Sequence, residues 1–220
     1  MNQQIENRRD FLKRASLAAF AFPLLINCKS DATAQRSNET ILDLIKKNAR
    51  DHEGVGEWWG AIDAPADVSW KSVLSKKSDK DLPMIISGTV YQTDGKTSAP
   101  NILIYYYHTD SEGYYRRPGD DGPRHGHFRG WMLTDARGRY EFSSIQPAPY
   151  PERKWSAHVH MTLTGKNFRE DSIDSILFEG DKLITAEERI PRKGGFNPIV
   201  KLEKGADGIL RATRDIQLMS

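Results

Sequence analysis

From residue 83 onward the chain runs in short stretches where apolar and polar residues alternate or β-prone residues cluster, each closed by turn formers. The stretch 85–91 leads to Asp94-Gly95, a hairpin signal, 102–107 leads to Glu112-Gly113, and 131–134 runs into Asp135-Ala136-Arg137-Gly138. Further stretches cover 139–145, 157–163, 175–178, 198–202 and 209–218. Short strands at regular spacing, with no convincing helix among them, predict an all-β fold, a β-sandwich of about eight strands over residues 83–220. Ahead of it, residues 38–52 predict a short helix. Ile41, Leu42, Leu44 and Ile45 form its apolar face, and Asn38 or Thr40 is placed to cap its start. A loop rich in Gly and Trp, 53–60, and a polar stretch to Asp81 follow, so residues 35–82 read as a helical and loop arm lying on the domain. The pair Trp58-Trp59 is expected to anchor that arm by packing rather than to stack on a ligand.

Residues 1–34 read as an address. Arg8-Arg9-Asp10-Phe11-Leu12-Lys13 precedes an apolar run over 15–26, well short of the roughly 20 residues that span a bilayer. A basic stretch, a short apolar run and small residues beyond it follow the order of an export signal. R-R-x-F-L-K resembles the twin-arginine signal of bacterial export. Ala32-Thr33-Ala34 offers cleavage before Gln35. Leu25-Ile26-Asn27-Cys28 resembles a bacterial lipobox, with Asn27 where a small residue is usual, and would leave a lipid anchor at Cys28. Both outcomes place the domain outside the cytoplasm, periplasmic or lipid-anchored at the bacterial envelope.

Composition sharpens this division. At 38% hydrophobic, 10% aromatic and 28% charged, the 220 residues fit neither a polytopic membrane protein nor wholesale disorder. The formal charge of +2 belongs to the address: residues 1–34 hold five Lys/Arg against three Asp/Glu, leaving 27 of each in the remainder. A formally neutral domain, with no basic stripe and no glycine-rich phosphate cradle, points away from nucleic acid. Cys28 is the only cysteine, so any metal in the domain must take His, Tyr, Asp or Glu as ligands.

Candidate ligands sit in Ala157-His158-Val159-His160-Met161. Alternation along a strand puts His158 and His160 on one face, a common way to hold a transition metal, although H-x-H alone is weak evidence. Eight residues before His158 lies Tyr150, in the rigid turn Pro147-Ala148-Pro149-Tyr150-Pro151. Tyr114-Tyr115 follows the Glu112-Gly113 turn. Loop tyrosines often only cover a core edge, but two histidines and two loop tyrosines without cysteine suit a hard ferric ion.

These segments together resemble the intradiol ring-cleavage dioxygenases, especially the protocatechuate 3,4-dioxygenase-like ones, over roughly residues 85–218. The run 107–115 is similar to the segment carrying that family's first tyrosine ligand, which falls on Tyr115. The runs 134–142 and 144–151 are similar to the stretch that ends at the second, Tyr150. His158 and His160 match the histidine pair, and Phe178-Glu179-Gly180-Asp181 matches an F-E-G-D segment. The resemblance implies a mononuclear non-haem Fe(III) held by Tyr115, Tyr150, His158 and His160, with hydroxide in the open position. It further implies a catechol bound through both oxygens, and displacement of Tyr150, which with the hydroxide takes up the catechol protons. Dioxygen would then open the ring between the hydroxylated carbons to a muconate-type diacid, with the iron acting as a Lewis acid.

Two positions depart from the pattern. Where the family usually carries an arginine three residues before the first histidine, this chain has Trp155, with Arg153 or Lys154 available to serve instead. A usual glutamine is replaced by Ser175. Such supporting groups tune metal sites by tenfold or more. Arg124-His125-Gly126-His127-Phe128-Arg129 reads either as a solvated loop or as a basic rim attracting an anionic substrate. His52 and His108 are assigned to structure or surface. The competing reading is a non-catalytic transthyretin-like β-sandwich binding module, which shares the turns but has no reason to gather the four ligands. A cupin-type site lacks a second ligand motif. The expected partners are a catechol-type aromatic and O2, with membrane contact only through a lipid anchor at Cys28, and the resemblance implies association into oligomers.

Overall fold

The computed structural model describes residues 41–50, 58–74, 81–116, 119 and 121–219, all within the unit Gln35–Ser220. The expected export signal, Cys28, the site after Ala34, the capping residues Asn38 and Thr40, and His52 lie outside the described residues. Among those described, no helix is long and apolar enough to cross a membrane.

The strands run in chain order as β1 (Lys71–Val73), β2 (Pro83–Tyr91), β3 (Leu103–His108), β4 (Arg129–Leu133), β5 (Arg139–Ile145) and β6 (His158–Gly165). They continue as β7 (Phe168–Ser172), β8 (Ile176–Phe178), β9 (Ile199–Val200), β10 (Glu203–Lys204), β11 (Leu210–Thr213) and β12 (Ile216–Gln217). One six-stranded sheet has the order β1-β5-β2-β11-β10, with β12 also on β2. The other has the order β4-β3-β6-β8-β9, with β7 also on β6. Alternation sets the inward faces: Met84, Ile86 and Val90 from β2 and Tyr140 and Phe142 from β5 meet Ile104 and Tyr106 from β3 and Val159, Met161 and Leu163 from β6 in one core. Tyr106 stacks on Phe142 across this core at 4.2 Å and its hydroxyl meets Ser72 Oγ at 3.0 Å.

The all-β sandwich matches the expectation, and the extra strands are the ones a hydrophobic pattern hides. β1 is a three-residue edge with its Lys and Val exposed. β7 is polar throughout apart from Phe168. The expected strand over 209–218 is interrupted at Arg214-Asp215, where Asp215 Oδ1 accepts the Thr89 N–H at 2.9 Å and Tyr140 Oη donates to the Arg214 carbonyl at 2.5 Å. Gly88 makes room for that carbonyl: a Cβ there would lie 1.9 Å from it.

The helix expected over 38–52 is helical at 41–46 and then tightens into turns, with Asn48 N–H reaching back to Ile45 O. Asn48 Nδ2 is drawn off to the carbonyls of Gly165 and Lys166 at 2.9 and 2.8 Å. A second core, of Leu42, Ile45, Ala61, Ala64 and Val68 against Leu103 and Leu133, seats this segment on the outer face of β3 and β4. Every residue of β3 is therefore buried.

His108, at the end of β3, is fully buried and structural, as expected. Its Nδ1–H donates to Thr109 O and its Nε2 meets Ser144 Oγ, both at 2.7 Å. Burial holds its pKa down at about 4, against 6.5 for a free imidazole. The unfolded chain therefore takes up a proton first as pH falls. The contribution is intact above about pH 6.5 and fades toward pH 4, where it should have cost about 3 kcal/mol. Urea unfolding at pH 7 and pH 4 reads this loss, and His108→Asn, which does not titrate, should flatten that part of the pH slope.

Candidate metal centre

β6 carries His158 and His160 on its outward face, away from the main core, because Val159 and Met161 take the inward positions. Tyr107 of β3 lies opposite His160 in register and stacks on its ring at 4.7 Å. The two phenols arrive on loops. The turn after β3 is held by Asp110, whose Oδ1 accepts the N–H groups of Glu112 and Tyr114 at 2.9 and 3.0 Å, and it delivers Tyr115. The proline-framed turn after β5 delivers Tyr150. Thr109 Oγ1 donates to Ala148 O at 2.6 Å, and Ala148 N–H donates to Asp110 O at 3.0 Å, so the two loops are joined to each other.

The four expected ligands meet. Tyr115 Oη lies 2.8 Å from Tyr150 Oη, which lies 3.2 Å from His158 Nε2, which lies 3.0 Å from His160 Nε2. His158 Nδ1 donates to Ser156 O at 2.6 Å, leaving a lone pair on the Nε2 that faces the cluster. His160 Nδ1 lies 3.2 Å from Ser175 Oγ, so the residue standing where the resemblance leads one to expect a glutamine touches the His160 ring. Donor atoms about 2 Å from a single ion sit about 3 Å from one another, which is the spacing found here.

The electrostatics agree. Burial pushes the Tyr115 and Tyr150 phenols up, and Glu152 adds to the rise at Tyr150. Burial pulls His158 down and His160 well down, with His158, His125 and His108 reinforcing the effect at His160. Neutral imidazole is the ligating form. A cation reverses the logic for the phenols, since a bound positive charge favours phenolate. Among the described residues no three His, Cys, Asp or Glu side chains gather into a metal-binding group. The donor set is instead two imidazole nitrogens and two phenol oxygens, which fit a hard, trivalent ion.

Other expected residues fall around this cluster. Arg153 is exposed on the turn after Tyr150, at φ 52, with its N–H on Tyr150 O at 2.8 Å. Trp155 stands edge-on to Tyr150 at 6.1 Å. With Lys154, Ser175, Glu187 and Glu188 it lines a cleft of about 510 Å³. In the 124–129 segment His127 is exposed, and His125 departs from both readings. His125 is buried, its Nδ1 lies 2.5 Å from Tyr105 Oη, and it stacks on Tyr107 at 3.9 Å. The physical reason is the turn at Gly126, at φ +74 and so close to the Tyr115 carbonyl that a Cβ would lie 2.1 Å from it, which folds the imidazole against Tyr107. Trp59 is half-buried and lies beneath the Arg50 guanidinium at 4.5 Å. Trp58 departs from the expected anchoring: it is 45% exposed and meets His160 edge-on at 4.8 Å. Tyr107 went unassigned in the sequence, although its alternation with Tyr105 places both on the His160 face. Nothing in the local pattern marks Trp58 or His125.

A family model described as "Dioxygenase" matches residues 64–196. The protocatechuate 3,4-dioxygenase beta chain of Burkholderia cepacia is 31% identical over 110 residues, 46% of this chain and 46% of that one. Catechol 1,2-dioxygenase 1 of Acinetobacter lwoffii is 29% identical over 193 residues, 71% of this chain and 61% of that one. The chain thus spans about half to three fifths of these relatives' length. Among solved structures, 3-chlorocatechol 1,2-dioxygenase from Rhodococcus opacus superposes with a TM-score of 0.56 at 18% identity, covering 85% of this chain and 75% of that one. Chlorocatechol 1,2-dioxygenase from Pseudomonas putida gives 0.53 at 20%, covering 95% and 92%. The sandwich, the tyrosine and histidine segments in their order, and a family match over more than half its length place this chain in the intradiol ring-cleavage dioxygenase family.

Proposed function

We propose that this protein is an exported, ferric-iron dioxygenase that opens catechol-type rings between their two hydroxylated carbons, giving muconate-type diacids. The observation that carries the reading is the convergence of Tyr115, Tyr150, His158 and His160 through contacts of 2.8, 3.2 and 3.0 Å. Those four residues would hold the iron, which supplies Lewis-acid activation of a bound catechol toward O2. His158, locked by the Ser156 carbonyl, keeps its Nε2 unprotonated and aimed inward. Tyr150 stands beside the cleft-lining Trp155 and is the phenol placed to accept a catechol proton at Oη. Tyr107 stacks on His160 at 4.7 Å and on His125 at 3.9 Å, so the His160 ring is buttressed by a stack of aromatic rings. Export rests on Arg8-Arg9 and the apolar run after them, and fractionation of the native host reads it directly.

The non-catalytic binding module gains no support, since it gives no reason for four metal-type donors to converge. Purified protein loaded with iron should be reddish from phenolate-to-ferric charge transfer and should consume O2 with catechol. Replacing both Tyr115 and Tyr150 by Phe should erase the colour. A colourless iron-loaded wild type, or colour that survives both replacements, would overturn the site.

A further inference from the structure

The aim of His158 depends on one peptide group. Its Nδ1 donates to the Ser156 carbonyl at 2.6 Å, and Ser156 is fully buried, so that oxygen is shielded from water. The nitrogen of the same peptide belongs to Ala157, also buried, and its N–H donates to Asp181 Oδ2 at 2.8 Å. A single planar amide thus stands between a carboxylate and a ligand imidazole, donating on one side and accepting on the other.

The fold puts Asp181 there. β8 runs antiparallel to β6 with Leu177 opposite His158, so the chain leaving β8 passes the start of β6. The turn that follows is closed by Asp181 N–H on Phe178 O at 3.2 Å, and Asp181 Oδ1 accepts the Leu183 N–H at 2.9 Å. Each oxygen of this half-buried carboxylate therefore holds one backbone N–H. Hydrogen bonds to an ionised acceptor are about twice as strong as neutral ones. Amide resonance passes the effect on: as the N–H leans on an anion, electron density moves to the carbonyl oxygen, and bonds in such a chain strengthen one another. A richer Ser156 oxygen pulls harder on the Nδ1 proton and raises the basicity of Nε2. Histidine ligands are commonly backed by a carboxylate or by a carbonyl; here the two stand in series.

Building on the dioxygenase reading, we infer that Asp181 is a positioning residue for the metal centre, whose charge reaches His158 through the Ser156–Ala157 peptide. It fixes the imidazole and makes Nε2 a stronger donor to ferric iron.

The test uses Asp181→Asn, which keeps an oxygen for the Ala157 N–H but removes the charge, and Asp181→Ala, which removes both. Glu188→Gln is the control, because Glu188 also holds a turn, through Thr185 N–H at 2.8 Å, and acts on His158 through space. Each variant is checked first by urea unfolding. In NMR spectra of the metal-free full chain, the Ala157 amide proton and the His158 Nδ1 proton of wild type should both resonate downfield. Either one found elsewhere overturns the relay before any variant is made. Asp181→Asn should move the Nδ1 proton upfield by about 10–30% of that displacement, and Glu188→Gln should leave it in place. Ferric affinity should fall about tenfold in Asp181→Asn and at least as far in Asp181→Ala. If the loss falls on ferric and not ferrous ion, the potential rises by about 59 mV. Wild-type resonance and affinity in Asp181→Asn overturn the relay, even if Asp181→Ala loses iron, since a purely steric role survives in asparagine. A Glu188→Gln shift as large as that of Asp181→Asn overturns it too. Wild type that is colourless with iron and takes up no O2 overturns the dioxygenase reading itself, a failure told apart from the others because the resonances are read without metal.

Discussion

Replacing His158 with alanine should strip the protein of iron. His158 is the middle member of the donor cluster, with Tyr150 Oη 3.2 Å from one side of its Nε2 and His160 Nε2 3.0 Å from the other. Its tautomer is set by the 2.6 Å bond from Nδ1 to Ser156 O, so the ring is aimed before any ion binds. Loss of a supporting partner typically costs 10–100-fold in metal affinity, and loss of the ligand itself should exceed that. Iron per chain, measured after dialysis against a mild chelator, should fall from near one to below about a tenth, with O2 uptake lost in parallel. A His158→Ala protein that retains iron and colour would remove it from the ligand set. Ser156→Ala is the matched control. Ser156 contributes its backbone carbonyl, which survives the change, whereas its buried Oγ has no hydrogen-bond partner. That variant should keep its iron and gain stability by up to about 1 kcal/mol, because an unsatisfied buried hydroxyl is removed.

The same residues show how far the sequence could be read. His158 and His160 were legible because strand alternation is a local rule: once β6 was recognised, their shared face followed. Tyr150 was legible because three prolines leave its loop little freedom. Tyr107 needed one step more, the register that sets it opposite His160, and register depends on pairing rather than on either strand alone. Glu170 was illegible for a stronger reason. The segment Phe-Arg-Glu-Asp-Ser looks like a solvated edge, and only the fold reveals that the middle carboxylate is buried under Gly60 and Ala61. A charged residue goes inside when backbone donors from a distant segment meet it, and composition carries no trace of that meeting. Trp58 follows from Glu170, so its place beside His160 was hidden with it. His125 read as part of a solvated loop or a basic rim because its neighbours Arg124 and Arg129 are charged. Its burial is decided by the stack on Tyr107 and the bond to Tyr105.

Gly113→Ala should part the two phenols. Tyr115 and Tyr150 come from different loops, and their 2.8 Å separation depends on how closely those loops approach. At Gly113 the backbone has φ +91, and a Cβ would lie 2.2 Å from the Pro149 carbonyl oxygen, backbone that cannot swing aside like a side chain. Alanine must therefore push apart the loop ending at Tyr115 and the loop ending at Tyr150, against the Thr109 and Ala148 bonds that join them. Iron affinity should drop 10–100-fold, the range expected when ligands are displaced rather than deleted. The charge-transfer band should weaken accordingly. Stability should fall by about 1–3 kcal/mol from the strained backbone. Gly180→Ala separates strain from crowding. Gly180 has φ +89 but nothing within 4 Å of its Cβ position, so alanine there carries the left-handed penalty of about 1–2 kcal/mol and leaves the site untouched. Titrating iron into both variants, with urea unfolding alongside, decides the matter. If Gly113→Ala binds iron as tightly as Gly180→Ala, the loop contact does not set the distance between the phenols. If only Gly113→Ala loses affinity, the spacing of the two oxygen donors is built by backbone packing at one glycine.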